Sequence, residues 1–282
     1  MRKISMTTSQ FMKWGNEPDA FAQMAGFGFT ACDYSPLDNI HGDIYKLERN
    51  EWAQLFVDVK KNAAKAGVQI YQAHGPWVWP KTGNDTEEGR ALWMQRMLDC
   101  LDACERMECP NLVVHPIMPF GAVSTTDEEA YLRINREFWE KLLPEAEKHG
   151  VNVLLENMPF LEQSLSRTAA MVPFVESFHS KYFSMCFDTG HSLVFGEKLD
   201  ESVRTCGQLL KAFHVHDNGG DCDSHLVPGF GVGDWDAFRT AVNETVDESV
   251  PISLECKTGK LPRELEEEMI RILAKLAASL AN

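Results

Sequence analysis

The feature that most limits what this chain can become is a repeat of chemistry rather than of letters. Short apolar runs alternate with helical stretches, and run after run stops on a side chain able to hold a metal. "VQIYQAH" ends on His74, "NLVVH" on His115, "VNVLLE" on Glu156 and "YFSMCFD" on Asp188; "LKAFHVH" carries His214 and His216, and "PISLE" ends on Glu255. Two weaker runs, "KISMTT" and "FGFTACDY", precede them, giving eight strand candidates in 282 residues, roughly 35 residues per strand-and-helix unit. Strands that alternate with helices pair in parallel, because each crossover helix returns the chain to the same end of the sheet. Eight such units predict an α/β chain folded as one (β/α)8 barrel over residues 1–282, with no linker or compositional break to mark a second domain.

The helical members carry their own punctuation. In "DTEEGRALWMQRMLDCLDACERM", Asp85 and Glu88 have capping-box spacing, and Met94, Met97, Leu98, Leu101 and Cys104 form one apolar stripe. "TDEEAYLRINREFWEKLLPEAEKHG" opens on Thr126 with Glu129 three residues on and closes on Gly150, and Pro144 predicts a kink or break near its end. Both stripes read as core.

In a barrel of this kind the C-terminal strand ends and the loops after them form the active face. The polar terminations therefore meet at one mouth although they are far apart in sequence. Two carboxylates about 4 Å apart repel by roughly 4 kcal/mol at an effective dielectric near 20, so Glu156, Asp188 and Glu255 crowded there need protons or a cation. Histidines in the same ring make a divalent metal the simpler answer. Carboxylate oxygen with imidazole nitrogen suits Mn, Zn, Co or Fe better than Ca, and no thiolate stands among the candidates to build a closed structural zinc site. A single histidine at a strand end is commonly a packing residue, and a single Asp there commonly caps the next helix; His115 alone fits either reading. Four such residues on four strands, Glu156, Asp188, His214 and Glu255, argue together for a site. His41, His149 and His179 receive no role.

Composition narrows the classes. No apolar run approaches the ~20 residues that cross a bilayer, and the opening "MRKISMTTSQF" lacks the apolar stretch of a secretion signal, so a cytoplasmic protein without a membrane partner is expected. Eight cysteines at irregular spacings, with no CxxC pair, predict reduced and mostly buried thiols. A net charge of −15 repels phosphate backbones and disfavours nucleic acid as a partner.

The stretch "DCDSHLVPGFGVGDW" adds Asp223 and His225 to the mouth and then turns glycine-rich. Gly229, Gly231 and Gly233 make either a tight turn leading to an N-cap at Asp234 or a set of backbone N–H groups for a sugar phosphate; Asp234 at the helix start opposes the second.

"QAHGPW", "VVHP", "LLENMP", "FDTGH", "FHVHDN", "DSHLVPGFGVGDW" and "SLECK", in that order, resemble the xylose isomerase-like superfamily of barrels, the sugar isomerase and epimerase branch together with endonuclease IV. The likeness runs from about residue 69 to 257. It implies one divalent ion, commonly manganese or cobalt, on Glu156, Asp188, His214 and Glu255, with Glu156 and Glu255 as the catalytic proton carriers. His216 then touches the site from behind or meets a substrate hydroxyl. The endonuclease IV side of the likeness implies further metal positions at His74, His115, His191, Asp223 and His225, which would complete a three-metal cluster. Trp77, Trp79, Phe120 and Trp235 fall in mouth loops where they would stack on a sugar ring, and Lys257 shares strand parity with Glu255 and would bind a hydroxyl or phosphate.

The expected function is metal-dependent isomerisation or epimerisation of a sugar or keto-polyol, with manganese, cobalt or zinc as cofactor, no nucleotide cofactor and a small carbohydrate as partner. Two alternatives stay open: a lyase or dehydratase of a keto-sugar or cyclic polyol on the same site, and an endonuclease IV-like multi-metal phosphodiester hydrolase. A non-enzymatic sugar-binding barrel is disfavoured because none of the strand-end donors is lost. Assembly into a homo-oligomer is left open.

Overall fold

All eight apolar runs are strands. The computed structural model describes residues 1–77, 86–118 and 127–282, and among them lie β1 (Ile4–Thr7), β2 (Ala31–Tyr34), β3 (Gln69–His74), β4 (Asn111–Val114), β5 (Asn152–Glu156), β6 (Phe183–Asp188), β7 (Leu210–His214) and β8 (Ile252–Leu254). They run parallel in the order β7-β6-β5-β4-β3-β2-β1-β8. The seam between β7 and β8 is joined one residue past β7: Val215 N–H donates to the Ser253 carbonyl at 2.8 Å and Glu255 N–H donates to the Val215 carbonyl at 3.1 Å. The sheet thus closes as a barrel, as eight repeats of one unit predict.

Strand parity decides which side chains reach the mouth. Leu112, Val114, Val153, Leu155, Met185, Phe187 and Phe213 belong to the large core shared with the surrounding helices, whereas Val113, Leu154, Cys186 and Ala212 form a separate small buried cluster inside the barrel. Polar pairs complete that interior: Ser253 Oγ donates to Ser5 Oγ at 3.1 Å, and Gln72 Nε2 spans from β3 to the Phe213 carbonyl at 3.4 Å. Successive strand residues alternate faces. Two residues past Gln72, Val113, Leu154, Cys186, Ala212 and Ser253 come His74, His115, Glu156, Asp188, His214 and Glu255. Period two turns six inward-facing positions into six polar groups facing a common axis.

The helices cap as short-range chemistry requires, with shifts of one residue from the sequence reading. Helix Glu87–Met107 is capped by Thr86, whose side chain accepts the Gly89 N–H at 3.0 Å; Asp85 lies outside the described residues. Helix Glu128–His149 is capped by Asp127, whose Oδ1 accepts the Ala130 N–H at 2.9 Å, and ends on Gly150 at φ 67°; Thr126 lies outside the described residues. Pro144 does not break that helix. It removes one N–H from the ladder, but Leu142, Leu143 and Ala146 on either side are buried in the core and hold the turn together. Seven cysteines are buried and Cys222 is exposed, all of them free thiols. No helix among the described residues is long and apolar enough to cross a membrane.

Candidate metal centre

Glu156, at the end of β5 and 1% exposed, is the hub of the mouth. Its Oε1 sits 2.7 Å from His214 Nδ1, while its Oε2 is shared by His115 Nε2 at 3.1 Å and His74 Nε2 at 3.3 Å. Glu255 Oε2 approaches the same His214 nitrogen at 3.5 Å. One donor atom from each of Glu156, Asp188, His214 and Glu255 can be chosen so that all four lie within 4.8 Å of one another, and the same holds for His74, His115 and Glu156. Asp188 accepts its own helix's His191 N–H at 2.7 Å on Oδ1 and lies 3.0 Å from His216 Nε2 on Oδ2. Asp188 is thus the N-cap and a candidate ligand at once, so those two readings do not compete.

The third side of the mouth is built by the loop after β7. Asp223 Oδ2 is 3.1 Å from His225 Nε2 and 3.5 Å from His191 Nε2, and Asp223 Oδ1 is 3.6 Å from His216 Nε2. Three histidines are aimed by backbone carbonyls. The Nδ1–H of His74 donates to Gly75, that of His191 to Asn157, and that of His225 to Glu255, at 2.7, 2.7 and 2.8 Å, which leaves each Nε2 turned to the site. His225 holds this pose at φ 52°, a left-handed backbone that a histidine adopts at some strain. His216 is closely packed: its ring stacks on His225 at 4.1 Å between centroids, and a Cβ on Gly190 would lie 1.9 Å from its Cε1.

The charges follow the contacts. Burial alone would raise Glu156, but the imidazoles of His214 and His115 hold it well below the usual carboxylate range. Burial opposes a charge on His74, yet its hydrogen bond to Glu156 pushes it up to about 9. His115 meets the same oxygen, and burial holds it below its ordinary value; two cations on one oxygen would repel, so one ring carries the proton. Burial opposes charge on His191 and His225 as well, and Asp188 and Asp223 respectively outweigh it, pushing them up to about 10 and about 9. Asp223, which burial would raise, is held well below its ordinary value by hydrogen bonds from His191 and His225.

The glycine-rich loop holds something internal. Asp217, fully buried, accepts the N–H groups of Gly229, Gly231 and Gly233 at 2.9, 3.0 and 3.1 Å, the Asn218 N–H at 2.9 Å and the Trp235 indole N–H at 2.9 Å. Such a nest of N–H groups would suit a phosphate, but here a carboxylate of the same chain fills it. The tight-turn reading with Asp234 as N-cap describes the loop: Asp234 Oδ1 accepts the Ala237 N–H at 3.0 Å. Trp235 packs against Phe238 and does not line the mouth.

A cavity of about 640 Å³ opens above these groups. His74, His115, Glu156, His191, Asp223, His225 and Glu255 line it, with Asp33, Asp38 and Trp77 along one wall; Lys257 is the one Lys or Arg among the described lining residues. Trp79 and Phe120 lie outside the described residues. Sequence reasoning missed Asp33, Gln72 and Asp217. Only Asp33 carried a signal, as the acid next to last in the run "FGFTACDY".

The donor set fits a divalent cation. It combines clustered buried acids with imidazole nitrogens aimed at them, and two buried atoms, Asp223 Oδ1 and His216 Nδ1, have no hydrogen-bond partner. The fold and site together define a (β/α)8 barrel whose mouth gathers acids and histidines. The chain belongs to the xylose isomerase-like TIM barrel family, whose pattern it matches over residues 21–276. Among curated relatives, a probable endonuclease 4 of Nitrosopumilus maritimus is 28% identical over 202 residues, covering 65% of this chain and 69% of that protein. For three other curated relatives the match spans only about half their length, 55%, 47% and 46%. Among solved structures, a D-psicose 3-epimerase in the presence of D-fructose superposes with TM-score 0.78 at 16% identity over 99% of both chains. The IOLI protein with a bound zinc atom gives 0.76 at 16% identity over 99% of this chain and 97% of that one. At such identities the superpositions establish the fold.

Proposed function

We propose that this protein is a divalent-metal-dependent isomerase or epimerase of a sugar or keto-polyol. The observation that carries the reading is the meeting of Glu156, Asp188, His214 and Glu255, from four different strand ends, within 4.8 Å of one another on a cavity of sugar size. The likeness to a D-psicose 3-epimerase and to a zinc-bound barrel supports it. A divalent ion on those four residues, manganese, cobalt or zinc, supplies Lewis-acid polarisation of a carbonyl beside the reacting carbon.

The protein's own groups do the rest. Glu255 lines the cavity with a third of its side chain exposed and is held only loosely, at 3.5 Å from His214, so it is free to take the proton from the carbon next to the carbonyl. Glu156, fixed on both oxygens by histidines, returns a proton on the opposite side or to oxygen, drawing on His74. Glu255 ends with the proton taken from carbon, the proton returned to the substrate comes from the Glu156–His74 pair, and exchange with solvent removes the first and replaces the second. Trp77 and Lys257 at the rim meet the substrate's ring and hydroxyls.

A second reading has a specific observation behind it. The group His74, His115 and Glu156 and the group His191, Asp223 and His225 adjoin the first site, as a multi-metal phosphodiester hydrolase would need, and a probable endonuclease 4 is among the relatives. Against it stand the net charge of −15, a single lining cation among the described residues and the occupation of the loop's N–H groups by Asp217.

Incubation in D2O with manganese or cobalt and a panel of free ketoses tests the first reading. Deuterium appearing beside the carbonyl supports it, loss of a hydroxyl from the product moves the protein to the lyases, and cleavage of abasic DNA with no deuterium uptake replaces it with the hydrolase.

A further inference from the structure

His214 is aimed differently from the histidines around it. His74, His191 and His225 are each held through Nδ1 by a neutral backbone carbonyl and offer Nε2. His214 is held through Nε2 by a carboxylate, Asp33 Oδ2 at 3.0 Å, and turns Nδ1 to Glu156 and Glu255. Asp33 is the third of the four residues of β2, across the barrel from β7. It is 4% exposed, Gln72 Nε2 fixes the same oxygen at 3.0 Å, and its Oδ1 has no partner. Among the described residues no Lys or Arg forms an ion pair with it, so its charge is directed at the imidazole.

We infer that Asp33 is the positioning residue of this centre: it keeps the proton of His214 on Nε2, presents Nδ1 as the donor and makes that nitrogen a stronger ligand. The inference rests on the metal-dependent reading above. A carboxylate behind a ligating imidazole orients the ring and raises its basicity, and losing such a partner typically costs about 10–100-fold in metal affinity. Gln72 is part of the device, since it holds the carboxylate in register with the ring and ties it to the Phe213 carbonyl one residue before His214.

Two measurements on the full chain test this. Titration of chelator-treated protein with Mn2+ should give an affinity about 10–100-fold lower for Asp33→Ala than for the parent. Asp33→Asn, which keeps an acceptor for the Nε2–H but loses the charge, should fall between them. By 15N-histidine NMR, His214 should show a strongly downfield, hydrogen-bonded Nε2–H that vanishes in Asp33→Ala. Equal Mn2+ affinities in parent and both variants, or a His214 Nε2 without its proton, would overturn the role of Asp33. If the parent binds no Mn2+, the metal-dependent reading falls instead, and the Nε2–H signal still decides whether Asp33 sets the ring. Should Asp33→Ala not fold, Asp33→Asn alone carries the comparison, and parent-like affinity there refutes the contribution of charge.

Discussion

A β-carbon placed on Gly231 would lie 2.4 Å from Oδ1 of Asp217 and 2.1 Å from the Asn218 carbonyl, so the loop after β7 closes on its buried carboxylate only because residue 231 has no side chain. Gly229 differs: its φ is +92°, but a β-carbon there meets open space. Gly231→Ala should therefore cost about 1–3 kcal/mol through overpacking and backbone displacement, and Gly229→Ala about 1–2 kcal/mol from its left-handed backbone alone. Thermal unfolding of both variants checks the order. The Gly231 variant should also bind metal more weakly, because Asp223 and His225 ride on the same loop; equal metal binding in the two would mean that the Asp217 clamp does not set the mouth.

Glu255→Gln and Glu156→Gln should keep the fold and lower the rate of deuterium exchange by about 10²–10⁴-fold. Glu156→Gln should also weaken the metal, since its two oxygens organise three histidines. A variant with near-parental exchange removes that residue from the proton path.

Metal binding should take up a marked pH dependence from the histidines. In metal-free protein His74, His191 and His225 are pushed up to about 9, 10 and 9 beside the acids that would hold the ion, so a cation bound next to them favours their neutral forms, and the ligating imidazole of His214 must itself be neutral. Their folded values lie above the ordinary 6.5, so the stability these charged pairs lend the metal-free chain is complete below about pH 6.5 and is lost as pH rises through 9 to 10. Metal affinity moves the other way, rising with pH over that window, and each ion bound should release protons. Calorimetry in buffers of different ionisation enthalpy reads that release directly; a buffer-independent heat at pH 7 contradicts the assignment.

Much of this was legible in the chain because two periodicities coincide with chemistry. Each apolar run of a parallel barrel is buried on both faces, which makes it visible, and the residue that leaves the core at its end is polar, which makes the site visible. Glu156, Asp188, His214 and Glu255 stand out for that reason. Asp33 also points inward, one layer deeper beside Gln72, but its run is short and weak, and an acid near a turn looks like any cap. Asp217 was illegible: one Asp after a histidine pair does not announce that five N–H groups from residues 218 to 235 will gather round it. The place of Trp235 near the mouth suggests a sugar platform, yet its indole N–H is directed to that buried acid. Pro144 looks like a breaker by a local rule that ignores the core packing on either side of it.

Among the described residues Lys257 is the one lysine or arginine lining the cavity, beside acids at its rim, with its backbone N–H on the His225 carbonyl at 2.9 Å. Lys257→Ala should raise KM for an active ketose several-fold and leave kcat within about twofold, the pattern of a group that binds ground and transition states alike. Steady-state kinetics on the best substrate of the panel decides it, and a fall in kcat with KM unchanged would give the lysine a chemical role.

The acids and imidazoles of the mouth should share a cation. Mn2+ titration of chelator-treated parent protein beside Asp188→Asn and His214→Ala measures this most directly. At least one tight site per chain in the parent, weakened severely in both variants, is the predicted result; no saturable binding, or binding unchanged by either substitution, contradicts it.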